Sequence, residues 1–77
     1  MDMRRLVGSN VKRYRYAAGM SQEDLAVKSG FTQQYLSGLE RGARNPTIVS
    51  IYELAQALGV THLDLLTPED QAARKPG

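Results

Sequence analysis

The sequence predicts an all-α fold, a compact bundle of five helices. Apolar residues recur at intervals of three and four positions, which is the spacing of a buried helix face. Residues that favour helix starts, and glycines that favour helix ends, separate these segments. No segment alternates apolar and polar residues as a half-buried strand would. The 77 residues suffice for one small domain.

The first two helices follow from an apolar stripe and from capping signals. The stripe of the first helix comprises Val7, Val11, Tyr14 and Ala18. Gly19 is expected to end this helix. Ser21 predicts the start of the second helix, because Asp24 stands in the capping-box position. Gly30 is expected to supply the left-handed exit that other residues resist.

The third helix is predicted to begin at Thr32 and to run to Arg41. Only about three residues separate it from the second helix, and so short a link makes two helices cross steeply. The second and third helices are therefore expected to form a helix-turn-helix. Leu36 and Leu39 are expected to face the core.

The remainder of the chain predicts two further helices and a tail. The inward side of the fourth helix is expected to carry Ile48, Ile51, Leu54, Ala55 and Leu58. Thr61, with Asp64 three residues later, predicts a short fifth helix that runs through Leu66. The domain is expected to span residues 1–66, and residues 67–77 are expected to form a polar, frayed tail.

The composition argues against an enzyme. The chain has no cysteine and a single histidine, His62, so no thiolate or histidine cluster for a metal is expected. Neither a cofactor nor a small-molecule effector is expected. The chain shows no apolar segment long enough to span a membrane and no signal peptide, so a cytoplasmic protein is expected.

Charge is divided unevenly along the chain. Residues 1–45 carry eight Lys and Arg against four Asp and Glu, a net +4, whereas residues 46–77 carry two against four, a net −2. A basic N-terminal half suits a polyanion such as double-stranded DNA. Small soluble domains also show such asymmetry by chance, so this feature alone decides nothing.

The outward face of the third helix is polar but weakly charged. At 100° per residue, one arc of about 140° carries Gln33, Gln34, Ser37, Gly38 and Arg41. Glutamine amides can pair bidentately with adenine, and serine can contact either kind of base. Gly38 is expected to let the helix backbone approach the floor of a DNA groove. The alternative is an ordinary solvated helix face.

The segments "MSQEDLAVKSGFTQQYLSGLERGARNP" and "IYELAQALGV" resemble the xenobiotic-response-element (XRE) family of helix-turn-helix regulators, which includes the lambdoid phage repressors and Cro. The resemblance covers Val7 to Leu66 and implies a lambda-repressor-like DNA-binding domain. It also implies that the third helix lies in the major groove of DNA.

The resemblance also implies roles for individual residues. Positions that reach base edges in the family are matched by Gln33, Gln34, Ser37 and Gly38. Thr32 matches a position that touches a thymine methyl group or a phosphate. Positions that bind phosphate are matched by Gln22, Arg44, Asn45 and Thr47. Thr32 and Thr47 have an alternative role as helix N-caps.

A structural pair follows from the same resemblance. Arg15 and Glu40 match a pair that is largely buried in relatives, orients the third helix and presents the guanidinium near phosphate. From the residues alone, the two could equally be unrelated surface charges. Gly8 departs from the family pattern, because many members carry a larger residue there.

Leu63 stands where relatives more often carry an acidic residue, near the usual dimer seam. With His62 and Leu66, it is expected to form a homodimer interface. A tolerated surface leucine is the alternative.

These features together predict a sequence-specific transcriptional regulator that binds a two-fold operator as a homodimer, such as a phage-type repressor or a restriction–modification controller. RNA polymerase is a further candidate partner, since Glu23 and Asp24 resemble an acidic patch that touches it in some relatives. The alternative function is an antitoxin-like or other protein-interaction subunit, in which DNA binding is secondary.

Overall fold

Our computed structural model describes residues 1–72, which form helices joined by short loops. The principal helices are α1 (Met3–Ala17), α2 (Gln22–Ser29), α3 (Gln33–Glu40), α4 (Ile48–Leu58) and α5 (His62–Leu66), and a short α6 (Glu69–Ala72) follows them. No strand forms within residues 1–72, and no helix there is long and apolar enough to cross a membrane. The predicted all-α class is confirmed.

One short helix, α6, lies within the predicted polar tail. Glu69–Ala72 is helical, and a carboxylate oxygen of Glu69 lies 3.8 Å from Nε of Arg13 on α1. The Glu69 side chain is largely exposed, so this ion pair adds little stability. The rest of the predicted tail, residues 73–77, lies outside the described residues.

The predicted cap of α2 is a reciprocal pair of hydrogen bonds. Oγ of Ser21 accepts from the backbone N–H of Asp24 at 3.0 Å, and the Asp24 carboxylate accepts from the backbone N–H of Ser21 at 2.9 Å. The bond from the Ser21 backbone lowers the pKa of Asp24. Gly30 ends the helix with φ of 84°, in the left-handed region that favours glycine. Local signals in the sequence therefore fix both ends of α2.

The core lies between the helices, with α1 packed against α3 and α5. Its buried apolar side chains are Val7, Val11, Leu25, Leu36, Leu39, Ile51, Leu54, Ala55, Ala57, Leu58 and Leu65. In the predicted stripe of α1, Val7 and Val11 are buried and Tyr14 is half-buried against the core. Ala18 is exposed, because α1 ends there instead of continuing over the core.

The prediction that Ile48 is buried is wrong. Ile48 is 74% exposed, because it opens the first turn of α4 and the buried side of that helix starts one turn later, at Ile51. Val49 and Tyr52 are exposed as well. Tyr52 lies four residues after Ile48 and three after Val49, so the three share one side of the helix. This gives α4 a second, outward apolar side.

The C-terminal end of α3 lies directly on α1 at Gly8. A Cβ atom on Gly8 would overlap the backbone carbonyl oxygen of Leu39 and would lie 3.1 Å from that of Glu40. Backbone atoms cannot move aside as a flexible side chain can, so this contact requires glycine. The residue that departs from the family pattern therefore sets the distance between α1 and α3.

Asn10 is 1% exposed and fastens α1 to the end of α5. Its Nδ2 donates to the backbone carbonyl oxygens of Leu65 and Thr67, at 2.9 Å each. A helix end leaves such carbonyls without helical partners, so a side-chain donor is needed there. Oδ1 of Asn10 accepts from Nη2 of Arg13 at 3.1 Å. The buried amide thus has partners on both of its polar atoms.

Gly8→Ala is expected to lower the free energy of unfolding by about 1–3 kcal/mol, because the added methyl group forces α1 away from α3. Ser9→Ala is the control. Ser9 is the exposed neighbour on the same helix, and its change should stay within about 0.5 kcal/mol. Chemical denaturation measures both variants. A denaturation midpoint for Gly8→Ala equal to that of the wild type would contradict the close contact.

Candidate nucleic-acid interface

The helices α2 and α3 form a helix-turn-helix through residues 30–32. Gly30 makes the turn, and Thr32 caps α3 by accepting from the backbone N–H of Tyr35 at 3.0 Å. Leu25 on α2 and Leu36 on α3 are both fully buried. One side of α3 is therefore fixed in the core, and the other side is turned outward.

The outward side of α3 carries amides without internal partners. Gln33 and Gln34 are exposed, and neither side chain hydrogen-bonds another group within residues 1–72. Arg41 is exposed at the end of α3, where its Nη1 donates to Oγ of the half-buried Ser37 at 2.7 Å. Both glutamine amides can thus hydrogen-bond a partner molecule, whereas the Ser37 hydroxyl is shared with Arg41.

Gly38 does not lie open on this side, contrary to the sequence prediction. It is buried under the side chain of Arg44, whose Nε and Cγ atoms lie 3.0 and 3.2 Å from the place a Cβ would occupy. Arg44 belongs to the loop after α3, and its guanidinium carbon lies 5.5 Å from the centroid of the Tyr35 ring. Arg44 therefore covers part of the face that the sequence assigns to α3 alone.

The loop and the start of α4 continue this surface. Arg44 and Asn45 are exposed, and Thr47 caps α4 by accepting from the backbone N–H of Ser50 at 3.0 Å. Thr32 and Thr47, which the sequence predicts to touch DNA, thus both act as N-caps. Their contact with DNA stays a prediction.

A buried ion pair joins the end of α3 to α1. Nε of Arg15 donates to Oε2 of Glu40 at 2.7 Å, and Nη2 donates to Oε1 at 3.0 Å. The two side chains are 6% and 4% exposed. Nη1 of Arg15 donates to the carbonyl oxygen of Met20 at 2.8 Å. The hydrogen bonds to Glu40 raise the pKa of Arg15. The pair ties α3 to α1, while the predicted phosphate contact of Arg15 stays a prediction.

Gln22 joins this pair from α2. Its Nε2 donates to Oε1 of Glu40 at 3.1 Å, which ties the first residue of α2 to the last residue of α3. The sequence assigns Gln22 to a phosphate. The structure holds its amide at the N-terminus of α2, where backbone N–H groups favour an anion. The phosphate contact itself stays a prediction.

An exposed apolar surface lies on α4 and α5, and we name it the α4–α5 patch. It consists of a groove lined by Ile48, Val49, Tyr52 and His62, together with the exposed Leu63. The rings of Tyr52 and His62 are 6.2 Å apart. Sequence reasoning found only the α5 part of this patch. The apolar residues in the first turns of α4 are the sequence feature that could have predicted the α4 part of the patch.

Leu66 lies outside the α4–α5 patch, and its place in a dimer interface stays a prediction. It is half-buried against the core, and it lines a small cavity of about 80 Å³ with Val7, Pro46 and Ile51. Leu66 therefore packs within the subunit.

Tyr35 is a surface residue that sequence reasoning missed. It is half-buried, and its ring stacks on that of Phe31 with centroids 5.1 Å apart and an interplanar angle of 17°. Its other neighbour is Arg44. The aromatic residue between two polar stretches of α3 was the available signal.

The described residues bring together no three His, Asp or Glu side chains that could hold a metal ion. What they do bring together is a helix-turn-helix with free amides on its second helix and arginines beside it, which is the arrangement of a DNA-binding domain. The chain belongs to the helix-turn-helix family HTH_3, whose match covers residues 11–65. The predicted XRE-type family is thereby confirmed, and it is a family of transcriptional regulators.

Individual relatives agree with this assignment. An uncharacterized HTH-type transcriptional regulator of Sinorhizobium fredii is 62% identical over 71 residues, which cover 92% of each chain. The crystal structure of the hypothetical transcription factor NHTF from Neisseria matches with a TM-score of 0.90 and 34% identity, covering 95% of this chain and 84% of that one. The restriction–modification controller protein C.Esp1396I, solved as a tetramer in complex with its natural 35 base-pair operator, matches with a TM-score of 0.77 and 37% identity. That match covers 84% of this chain and 86% of the controller.

Glu40→Ala is expected to lower the free energy of unfolding by about 3–5 kcal/mol, because Arg15 is left buried without its counter-charge. Arg15→Ala should give a similar loss for the converse reason. Glu53→Ala removes an exposed glutamate from α4 and is the control, with an expected change within about 0.5 kcal/mol. Thermal unfolding compares the three. If Glu40→Ala and Arg15→Ala both have the melting temperature of the wild type, the pair does not stabilise the fold.

Proposed function

We propose that the protein is a sequence-specific transcriptional regulator that binds a two-fold DNA operator as a homodimer, with α3 in the major groove. The observation that carries this proposal is the pair of exposed amides, Gln33 and Gln34, on a helix whose end is held by a buried ion pair. Bidentate hydrogen bonds to a base require a fixed direction of approach, so amides on a rigid helix can discriminate between base pairs.

Contacts with phosphate groups set the register of α3 on the duplex. We assign them to residues around both ends of α3, namely Gln22, Thr32, Arg41, Arg44, Asn45 and Thr47. The net charge of +4 in residues 1–45 supports this assignment, because cations near a polyanion favour association.

The α4–α5 patch is the proposed dimer interface. It exposes large apolar side chains that a second copy can cover, and a chain of 77 residues gains burial that its own core lacks. A two-fold axis beside the patch places two α3 helices about one DNA turn apart, roughly 34 Å. The assembly of the similar controller protein on its operator supports self-association.

Repression requires only that the dimer occupy its operator, whereas activation also requires a contact with RNA polymerase. Of the two acidic residues assigned to that contact, Asp24 is held by Ser21 in the capping box. Glu23 is exposed beside it. Asp24 is exposed too, so we assign any polymerase contact to both residues.

Selection of binding sites from a random duplex pool tests the proposed function. The expected product is an enriched sequence with two related halves, about one helical turn apart. Its affinity should fall steeply as salt rises, because phosphate contacts release counterions. A pool without any enriched sequence, at two salt concentrations, would contradict sequence-specific binding.

Gln33→Ala is expected to weaken binding to the selected duplex by about 1–3 kcal/mol, because the protein no longer hydrogen-bonds one base in each half-site. A mixed-sequence duplex is the internal control, and its affinity should not change, since the phosphate contacts remain. Gln34→Ala tests the neighbouring amide in the same titration. An equal loss on both duplexes would rule out base reading by the substituted residue.

Leu63→Glu is expected to give a folded monomer with weak operator affinity, because two like charges would meet across the two-fold axis. Val27→Glu is the matched control. Val27 is an apolar residue on α2 that is 83% exposed and lies outside the α4–α5 patch. Sedimentation at micromolar concentration separates the two. A Leu63→Glu protein that remains dimeric places the interface elsewhere.

A further inference from the structure

Gly38 has no backbone reason to be glycine. It lies inside α3, and its φ is not among the positive values found at Gly19, Gly30, Gly42 and Gly59. Glycine weakens a helix interior relative to alanine, so its presence here calls for a contact that a side chain would block.

That contact is with Arg44. Three atoms of the arginine side chain, Nε, Cγ and Cδ, lie 3.0, 3.2 and 3.6 Å from the position of a Cβ on Gly38. Outside α3 itself, no other group in the described part of the chain comes as near to this position. The Arg44 side chain thus packs directly on the backbone of Gly38.

A stack of rings next to Gly38 on α3 also contacts Arg44. The Phe31 ring packs on the Tyr35 ring, and the Arg44 guanidinium lies over Tyr35. Tyr35 and Gly38 are three residues apart, so they are neighbours on the helix surface. A cation over an aromatic face is held by the electron density of the ring. Arg44 therefore lies across α3, over a ring that attracts it and a backbone that makes room for it.

We propose that Gly38 is a positioning residue, which holds Arg44 across α3 so that its guanidinium meets the DNA backbone. This inference rests on the proposed DNA-binding function. It replaces the sequence-based role in which Gly38 itself lies against the groove floor. A methyl group at position 38 displaces Arg44, whose exposed side chain can swing away, and leaves the helix intact.

A cycle of three variants tests the proposal on the duplex selected by the wild-type protein. Gly38→Ala and Arg44→Ala should each weaken binding about tenfold per half-site, as expected for one charge-assisted hydrogen bond in each subunit. Each should also make the dependence of log affinity on log salt shallower by about 0.9 for every phosphate that is no longer neutralised. Gly38→Ala should have no further effect in the Arg44→Ala background. The melting temperature of the Gly38→Ala single variant should equal or exceed that of the wild type, because alanine favours the helix.

Nuclear Overhauser contacts in the free protein provide a second readout that needs no DNA. Contacts between the Arg44 side chain and the Tyr35 ring should be present in the wild type and absent in Gly38→Ala. Ser37→Ala is the matched control, because it also introduces alanine into α3 and should keep these contacts.

Three results would overturn the proposal: an undiminished loss for Gly38→Ala in the Arg44→Ala background, unchanged affinity of Gly38→Ala, or persistence of the Arg44–Tyr35 contacts in that variant. If the wild type binds no duplex, the proposed function fails, and the contacts in the free protein still decide whether Gly38 seats Arg44.

Discussion

Folding buries the charged side chains of Arg15 and Glu40 where α1 meets the end of α3. Removing a charged group from water costs several kcal/mol unless the group finds good hydrogen-bond partners. The structure supplies those partners: Glu40 accepts from Arg15 and Gln22, and Arg15 also donates to Met20. These bonds join α1, the start of α2 and the end of α3 at the Arg15–Glu40 pair. Apolar packing has no preferred direction, whereas these hydrogen bonds have a defined geometry. The direction in which α3 presents its amides therefore depends on the Arg15–Glu40 pair.

Two glycines adapt the remaining surfaces of α3. On the inner side, Gly8 lets the carbonyl oxygen of Leu39 touch α1. On the outer side, Gly38 lets Arg44 lie across the helix. The surface proposed to meet DNA is therefore composite, with amides from the helix and a guanidinium from the following loop. The α4–α5 patch, the proposed dimer interface, is made from α4 and α5 and shares no residue with this surface.

The predictable parts of the fold were those that local chemistry determines. A few adjacent residues determine the Ser21 and Thr32 caps, and they also determine the left-handed exit at Gly30. The misses depend on tertiary neighbours. Gly38 looks like an open surface position in a helical projection, but a loop residue from outside the helix covers it. Ile48 fits the apolar period of α4, yet within residues 1–72 no other element covers the first turn of that helix. Periodicity identifies a face, and only the packed chain decides what covers it.

Titration of the isotope-labelled protein with the selected duplex tests most directly whether α3 is the surface that meets DNA. Backbone amide shifts should concentrate at the start of α2, along α3 and in residues 44–47. The Gln33 and Gln34 side-chain amides should move as well, while Asn10 keeps its position because it is buried between α1 and α5. Shifts confined to α4 and α5, with the two glutamine amides unmoved, would contradict the assignment of α3 as the recognition helix.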